Sequence, residues 1–196
     1  MPDSALCRAL ECFRKPSGRL VLIAAGKAAW QMAHAARACL QDNFCGGVVV
    51  TKYGHVKGEI ANVACFEGGH PVPDENSLRG TDAALALTED LTESDTVVFL
   101  LSGGGSALFE KPLLPLAELQ DITNQLLAAG ADIVEINTIR KRLSAVKGGR
   151  FARHCAPAQV FAVVLSDILG DPLGMIASGP AYPDNSSCAQ ALDIAK

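Results

Sequence analysis

Short runs of consecutive apolar residues alternate along the chain with longer segments in which apolar residues recur at every third or fourth position. Apolar runs of this kind, especially those rich in β-branched residues, predict strands that are buried on both faces of a sheet. They cover residues 20–25, 46–52, 61–67, 96–101 and 159–165. The run TVVFLL at 96–101 is the most strand-like, and the run at 61–67 is the weakest.

The segments between these runs have helical periodicity. They predict helices over 27–40, 74–91, 116–129 and 131–144. Asp74 or Asn76 would cap the second helix, Gly130 would end the third, and the last residues, AQALDIAK, predict the start of a further helix. Alternating strands and helices predict an α/β fold with three layers and a doubly wound, mostly parallel sheet of the Rossmann-like type. The pattern leaves the strand order open.

Composition narrows the classes of protein to which the chain can belong. Its 196 residues are 49% hydrophobic, which is enough for one sizeable core and predicts a single α/β domain over 1–196. A net charge of −4 and an aromatic content of 5% argue against nucleic-acid and anionic-membrane surfaces. The seven cysteines are scattered without a C-x-x-C pair, which favours reduced thiols and a cytoplasmic location.

The loop SGGGS directly follows the strongest predicted strand. Ligands of open parallel sheets bind beyond the carboxyl ends of the strands, where this loop, Gly26-Lys27 and the segment 166–171 are all predicted to lie. Glycines let backbone N–H groups approach an anion, and flanking serines add hydroxyl groups. A tight turn without a ligand is at least as common an explanation, and neither a P-loop nor a dinucleotide fingerprint is present. The candidate phosphate-binding residues here are Ser102, Gly103, Gly104, Gly105 and Ser106.

Three basic residues are candidates for completing an anion site. Lys27 opens a helix directly after the first predicted strand, where a flexible charge suits a phosphate or carboxylate oxygen. If the helix over 131–144 continues, Arg140, Ser144 and Lys147 share one face beside Gly148-Gly149 and could clamp an anion. A solvated position is as good an explanation for Lys27 and the usual one for a basic cluster.

Carboxylates follow the last predicted strand. Asp167 and Asp171 occupy the position at which metal–nucleotide sites place a Mg²⁺ ligand or a group that accepts a hydroxyl proton, although a helix cap is equally compatible.

His70, in GGHPVPD, could polarise a substrate or hydrogen-bond within its own loop, and the loop role is slightly favoured. No pair of His or Cys residues has the spacing of zinc ligands.

Six segments between residues 20 and 184, in this order, resemble the class II glycerate kinases. They are LVLIAAGKAA, GGVVVTKYGH, EGGHPVPDENS, LLSGGGSAL, GADIVEINTIRKRLSAVKGGR and VLSDILGDPLGMIASGP. The family ends in a MOFRL domain, and some of its members are labelled hydroxypyruvate reductases. Each motif is modest, but six of them in order are highly specific.

This resemblance implies ATP- and Mg²⁺-dependent phosphorylation of D-glycerate, usually to 2-phosphoglycerate. The charge and composition already argue against a nucleic-acid or membrane partner. Lys27 would neutralise carboxylate or phosphoryl charge, and Ser102–Ser106 would cradle an anionic group through backbone N–H donors. Arg140 and Lys147 would complete the clamp. Asp167 would be the metal ligand or the proton acceptor.

The chain departs from the family pattern in two respects. Ala181 stands where the family loop SGPT has its threonine, which removes one hydroxyl group. Family members also continue into the MOFRL domain, which is expected to be absent here, so the chain would be the amino-terminal part of the enzyme or would self-associate as a homo-oligomer. Two alternatives stay open: an NAD(P)H-dependent hydroxypyruvate reductase, for which no dinucleotide fingerprint is found, and a non-catalytic fragment that binds a small anion.

Overall fold

A sheet of five parallel strands forms the middle layer of the molecule, which a computed structural model describes over residues 2–13, 16–40, 44–166 and 172–196. The strands are β1 (Leu20–Ala25), β2 (Phe44–Lys52), β3 (Val63–Gly68), β4 (Thr96–Ser102) and β5 (Gln159–Leu165). Their order is β3-β2-β1-β4-β5, and every neighbouring pair is parallel. This is the order of Rossmann-type sheets, so the predicted fold class is confirmed.

Helices precede, connect and follow the strands over the described part of the chain. They are α1 (Pro2–Glu11), α2 (Ala29–Cys39), α3 (Glu75–Leu87), α4 (Gly105–Leu108), α5 (Leu116–Ala128), α6 (Ile133–Arg142), α7 (Arg150–His154) and α8 (Cys188–Ile194), with a 3₁₀ turn at Ile176–Ser178. The sequence pattern did not predict α1, α4 or α7, and it extended the fourth predicted helix two residues beyond the end of α6. No helix among the described residues is long and apolar enough to cross a lipid bilayer.

The two faces of the sheet carry separate apolar cores, which produces the three predicted layers. On one face, Leu6 of α1 and Met32 of α2 pack in a core with Leu22 and Leu100 of the central strands. On the other face lie α3, α4 and α7, and an aromatic cluster joins β4 to the helices. In that cluster the ring centroids of Phe99, Phe109 and Phe151 lie 4.7–5.4 Å apart.

The central strands are buried as predicted, but the last strand is not. All residues of β1 and β4 are buried. β5, predicted as a buried strand, lies at the edge of the sheet with exposed and half-buried positions, and Leu165 is 40% exposed. That prediction was wrong because a run of apolar residues predicts a strand but does not show whether the strand lies inside the sheet or at its edge.

Candidate anion-binding site

The site lies between β1 and β4, at the point where successive strands begin to be added on the opposite side of the sheet. β2 and β3 lie on one side of β1, and β4 and β5 lie on the other, so a crevice opens beyond the carboxyl ends of β1 and β4. The two loops at this crevice are tied together: the Lys27 N–H donates to the Gly103 carbonyl at 2.9 Å, and the Ala28 N–H donates to Ser102 Oγ at 3.0 Å. Gly26 has a φ of +120°, and a Cβ there would lie 2.3 Å from Ser102 Oγ.

Ser102 therefore has a different role from the one predicted. Its side chain is 2% exposed, and its hydroxyl oxygen accepts the hydrogen bond that joins the two loops. The prediction that this hydroxyl group reaches a bound anion was wrong because the residue is still part of β4 and faces inward. Ser102 orders the loops on which a ligand would rest.

The glycines that follow Ser102 present backbone N–H groups that have no acceptor within the described part of the chain. The N–H groups of Gly103, Gly104 and Gly105 donate to no acceptor among the described residues. Gly104 has a φ of +88°, and Gly105 packs so closely on the neighbouring 3₁₀ turn that a Cβ would lie 2.6 Å from Ala177 Cβ. Unpaired, closely spaced N–H groups of this kind can bind an anion.

Ser106 belongs to a row of hydrogen-bonded side chains, Ser106, Ser178 and Asn137, that the sequence pattern did not predict. Ser178 Oγ donates to Asn137 Oδ1 at 2.8 Å, so the hydroxyl proton of Ser178 is already used. The contact of 3.1 Å between the two serine oxygens is then a hydrogen bond from Ser106 to Ser178. Ser106 consequently presents lone pairs to the crevice. Ser178 is fully buried and has a φ of +59°, a conformation that is uncommon outside glycine. In the sequence, only the motif ASGP marked this position.

Lys27 and His70 meet over the glycine loop. A Cβ built on Gly104 would lie 2.8 Å from His70 Cδ2, 3.0 Å from His70 Nε2 and 3.2 Å from Lys27 Cγ. The side chain of Lys27 is exposed and makes no ion pair within the described residues. Its backbone is fixed by His55, whose Nδ1 donates to the Lys27 carbonyl at 2.8 Å. The structure thus brings two of the sequence candidates, Lys27 and the glycines, to one point.

His70 adds a neutral ring to this positively charged region. Burial, followed by the positive charges of Lys27 and Lys52, lowers the pKa of His70 from its ordinary value of 6.5. The group is therefore uncharged at pH 7 and can exchange hydrogen bonds in either direction.

Arg140 lies on the other side of the same loop. It belongs to α6, which begins at a capping box formed by Asp132 and Glu135. Together with Val72, Ser106 and other residues, Arg140 lines a narrow cleft. Its guanidinium has no hydrogen-bond partner among the described residues, and burial lowers its pKa from the ordinary value of 12.5, although the group stays charged at any pH of interest.

Lys147 does not belong to the site, contrary to the prediction. Its side chain is fully buried, its Nζ lies 2.7 Å from Glu110 Oε2, and it donates to the Phe109 carbonyl at 3.1 Å. α6 ends at Arg142, so Ser144 and Lys147 lie beyond the helix and do not continue the face of Arg140. Glu110 pairs with Lys147, but its carboxylate also attracts Arg140 and lines the same cleft, so it offsets only part of the combined positive charge of Lys147 and Arg140.

The carboxylates that were predicted to bind a metal, Asp167 and Asp171, lie outside the described residues. Over the ranges that are described, no group of three or more His, Cys, Asp or Glu side chains is arranged to hold a metal ion.

Replacing Gly104 with alanine should weaken anion binding about tenfold. The left-handed backbone would cost about 1 kcal/mol, and the new methyl group would displace the His70 ring and the stem of Lys27. The measurement is calorimetric titration with inorganic phosphate. Gly54→Ala is the matched control, since Gly54 has a φ of +78° but no atom within 4 Å of an added Cβ. Unchanged phosphate affinity in Gly104→Ala would show that the anion does not bind at this loop.

Comparison with known proteins places the chain among characterised relatives. The family model described as a domain of unknown function, DUF4147, matches residues 1–196. A D-glycerate 2-kinase of Thermotoga maritima is 57% identical over 178 residues, which are 90% of this chain and 43% of that protein. A glycerate 2-kinase of Pyrococcus horikoshii is 44% identical over 179 residues, which are 90% of this chain and 40% of that protein.

The fold agrees with a solved structure. The crystal structure of the glycerate kinase from Thermotoga maritima superposes with a TM-score of 0.90 at 53% sequence identity. The match covers 96% of this chain and 47% of that one. The chain therefore spans about half the length of the relatives that it matches, and the resemblance to the class II glycerate kinases is confirmed over that half.

Proposed function

The chain belongs to the DUF4147 family, and on that premise we propose that its site takes part in transferring a phosphoryl group to D-glycerate, giving 2-phosphoglycerate. The names of its relatives support the substrate. The observation that carries the proposal is the meeting of Lys27 with the N–H groups of Gly103–Gly105 at the crevice between β1 and β4, where these groups have no acceptor among the described residues. Phosphoryl transfer needs positioning and electrostatic stabilisation above all, and this arrangement offers both.

Two cations are available for the two anionic groups of the reaction. Arg140 presents a planar guanidinium that can bind a carboxylate through two parallel hydrogen bonds, so we assign it to the carboxylate of glycerate. Lys27 carries a compact, mobile charge beside the free N–H groups, so we assign it to the transferring phosphoryl group. Ser106 lies between them, lining the cleft of Arg140 from within the glycine loop.

ATP is the proposed phosphoryl donor, and Mg²⁺ is its proposed counter-ion. Asp167 and Asp171 are the proposed ligands of the ion. When bound, Mg²⁺ would offset part of the negative charge of the phosphates. The proposed contacts of Lys27 and Arg140 do not depend on which residues hold the ion.

We further propose that residues 1–196 act as one α/β domain that supplies one wall of the active site, since they correspond to about half of each relative. The cytoplasm is the proposed location because the seven cysteines are scattered along the sequence without a C-x-x-C pair, which favours a reducing compartment.

A coupled assay of ADP formation tests the proposal, with the natural translation product that contains residues 1–196. ADP should form only when D-glycerate is present with ATP and Mg²⁺, and ³¹P NMR of the product should identify 2-phosphoglycerate. Oxidation of NADH by hydroxypyruvate, without ADP formation, would instead indicate a reductase. Saturable glycerate binding with neither activity would indicate a binding module, and either result would overturn the kinase.

A further inference from the structure

We infer that His70 accepts the proton of the glycerate hydroxyl group that is phosphorylated. The inference rests on the proposed function and adds the residue that activates the nucleophile. His70 follows β3 by two residues, and its ring reaches across the carboxyl-terminal edge of the sheet to the loop after β4. Nε2 and Cδ2 of the ring, Gly104 and the stem of Lys27 all meet at one point.

The ring of His70 is free to act on a ligand. Neither of its nitrogens has a hydrogen-bond partner among the described residues, and the side chain is only half-buried. Two other histidines are occupied: His55 Nδ1 is hydrogen-bonded to the Lys27 carbonyl, and His154 Nε2 lies 3.1 Å from the Leu85 carbonyl. A fourth, His34, is exposed and stacks on Trp30, and it is not among the nearest neighbours of Gly104 or Gly105. His70 alone among the four combines an unoccupied ring with contact to the proposed phosphoryl site.

The charges around His70 keep it able to accept a proton. Lys27, from the loop after β1, and Lys52, at the end of β2, face it, and the loop after β4 contributes no titratable side chain. With burial, these two positive charges lower the pKa of His70 from its ordinary value. The neutral imidazole is the form that can take a proton, and it is favoured at neutral pH.

The step can be written with its bonds and charges balanced. The glycerate hydroxyl oxygen forms a bond to the γ-phosphorus of ATP, and the bond from that phosphorus to the bridging oxygen breaks, so that ADP leaves with the electron pair. The hydroxyl proton passes to Nε2 of His70, which becomes an imidazolium ion and later releases the proton to water. Lys27, next to the ring, offsets charge on the phosphoryl oxygens during the transfer.

Two substitutions test the inference in the natural protein that contains residues 1–196. His70→Asn should lower kcat about 100-fold, with a smaller change in KM for D-glycerate. It should also remove the acidic limb of the pH profile of kcat/KM, which in the unsubstituted protein should lie below the range of an ordinary histidine. His70→Gly should regain activity when imidazole is added, because imidazole can occupy the vacated place of the ring. His34→Asn is the matched control and should leave rate and pH profile unchanged.

The outcomes separate this inference from the function on which it rests. If the unsubstituted protein forms no ADP with glycerate, the proposed function fails. If it does so and His70→Asn keeps kcat within about threefold, or keeps the acidic limb, the inference fails while the function stands. A loss of kcat in His70→Gly that imidazole does not restore, with circular dichroism unchanged, would likewise overturn the inference, because it would leave His70 only a structural role.

Discussion

Replacing Lys147 with methionine should lower the melting temperature of the protein by about 10 °C. The substitution leaves Glu110 buried at 1% exposure without its partner, and Oε1 of the same carboxylate already has no hydrogen bond among the described residues. Removing one member of a buried ion pair typically costs about 3–5 kcal/mol, because the remaining charge cannot return to water. Thermal unfolding followed by circular dichroism measures the effect.

The chain contains a matched pair that isolates the effect of burial. Lys111 Nζ and Asp82 Oδ1 are also 2.7 Å apart, but their side chains are 42% and 50% exposed. Exposed pairs contribute about 0–1 kcal/mol, so Lys111→Met should change the melting temperature by no more than about 3 °C. Equal losses in the two variants would mean that the loss of a lysine, and not the buried charge of Glu110, destabilises the protein. The double variant Lys147→Met/Glu110→Met should recover much of the loss, since it buries no unpaired charge.

The buried pair also shows what local sequence patterns leave undetermined. Lys147 was predicted to reach a ligand because a continuing helix would carry it onto the face of Arg140. The helix ends at Arg142, and the side chain of Lys147 then lies in the interior beside Glu110. Glu110 is distant in sequence, and no local pattern near Lys147 predicts that the two residues pair. Periodicity predicts which face of a helix is apolar, but it does not predict where the helix ends or where the following residues go.

Strands were predicted far better than the side-chain contacts of the site. The bounds of β1 and β5 agree with the apolar runs at 20–25 and 159–165, because β-branched and other apolar residues favour an extended backbone in the buried β1 and in the edge strand β5 alike. Lys27 and the glycine loop were predicted to share one edge, and the parallel sheet brings them together there.

The position of His70 could not be predicted in this way. Its loop follows β3, and β2 and β1 lie between that strand and β4. The contact with Gly104 depends on this strand order, which hydrophobic periodicity leaves open. The sequence slightly favoured a hydrogen bond between His70 and its own loop. The ring has no hydrogen-bond partner among the described residues, so the structure does not support that role. Long-range packing, and not the local motif, gives this residue its neighbours.

Replacing Lys27 with methionine should lower kcat for glycerate-dependent ADP formation about 1,000-fold. Two unit charges at 4 Å attract by about 4 kcal/mol at the effective dielectric constant found near protein surfaces, and about 1.4 kcal/mol corresponds to a factor of ten in rate. Methionine preserves the length and apolar stem of the side chain, so the packing of Lys27 Cγ against Gly104 should be retained. Steady-state kinetics with varied D-glycerate and ATP separates kcat from KM.

Lys57 provides the matched control for this substitution. Lys57 is exposed and lines the same surface pocket as Lys27, but it is not among the nearest neighbours of Gly104 or Gly105. If Lys27 acts by direct contact with the transferring group, Lys57→Met should change kcat less than about threefold. Equal losses in both variants, with a steep dependence on ionic strength, would mean that the lysines only attract the anionic substrates by long-range steering. A rise in KM without a fall in kcat would mean that Lys27 stabilises the bound substrate as strongly as the transition state. The charge of Lys27 would then contribute to substrate affinity and not to the chemical step.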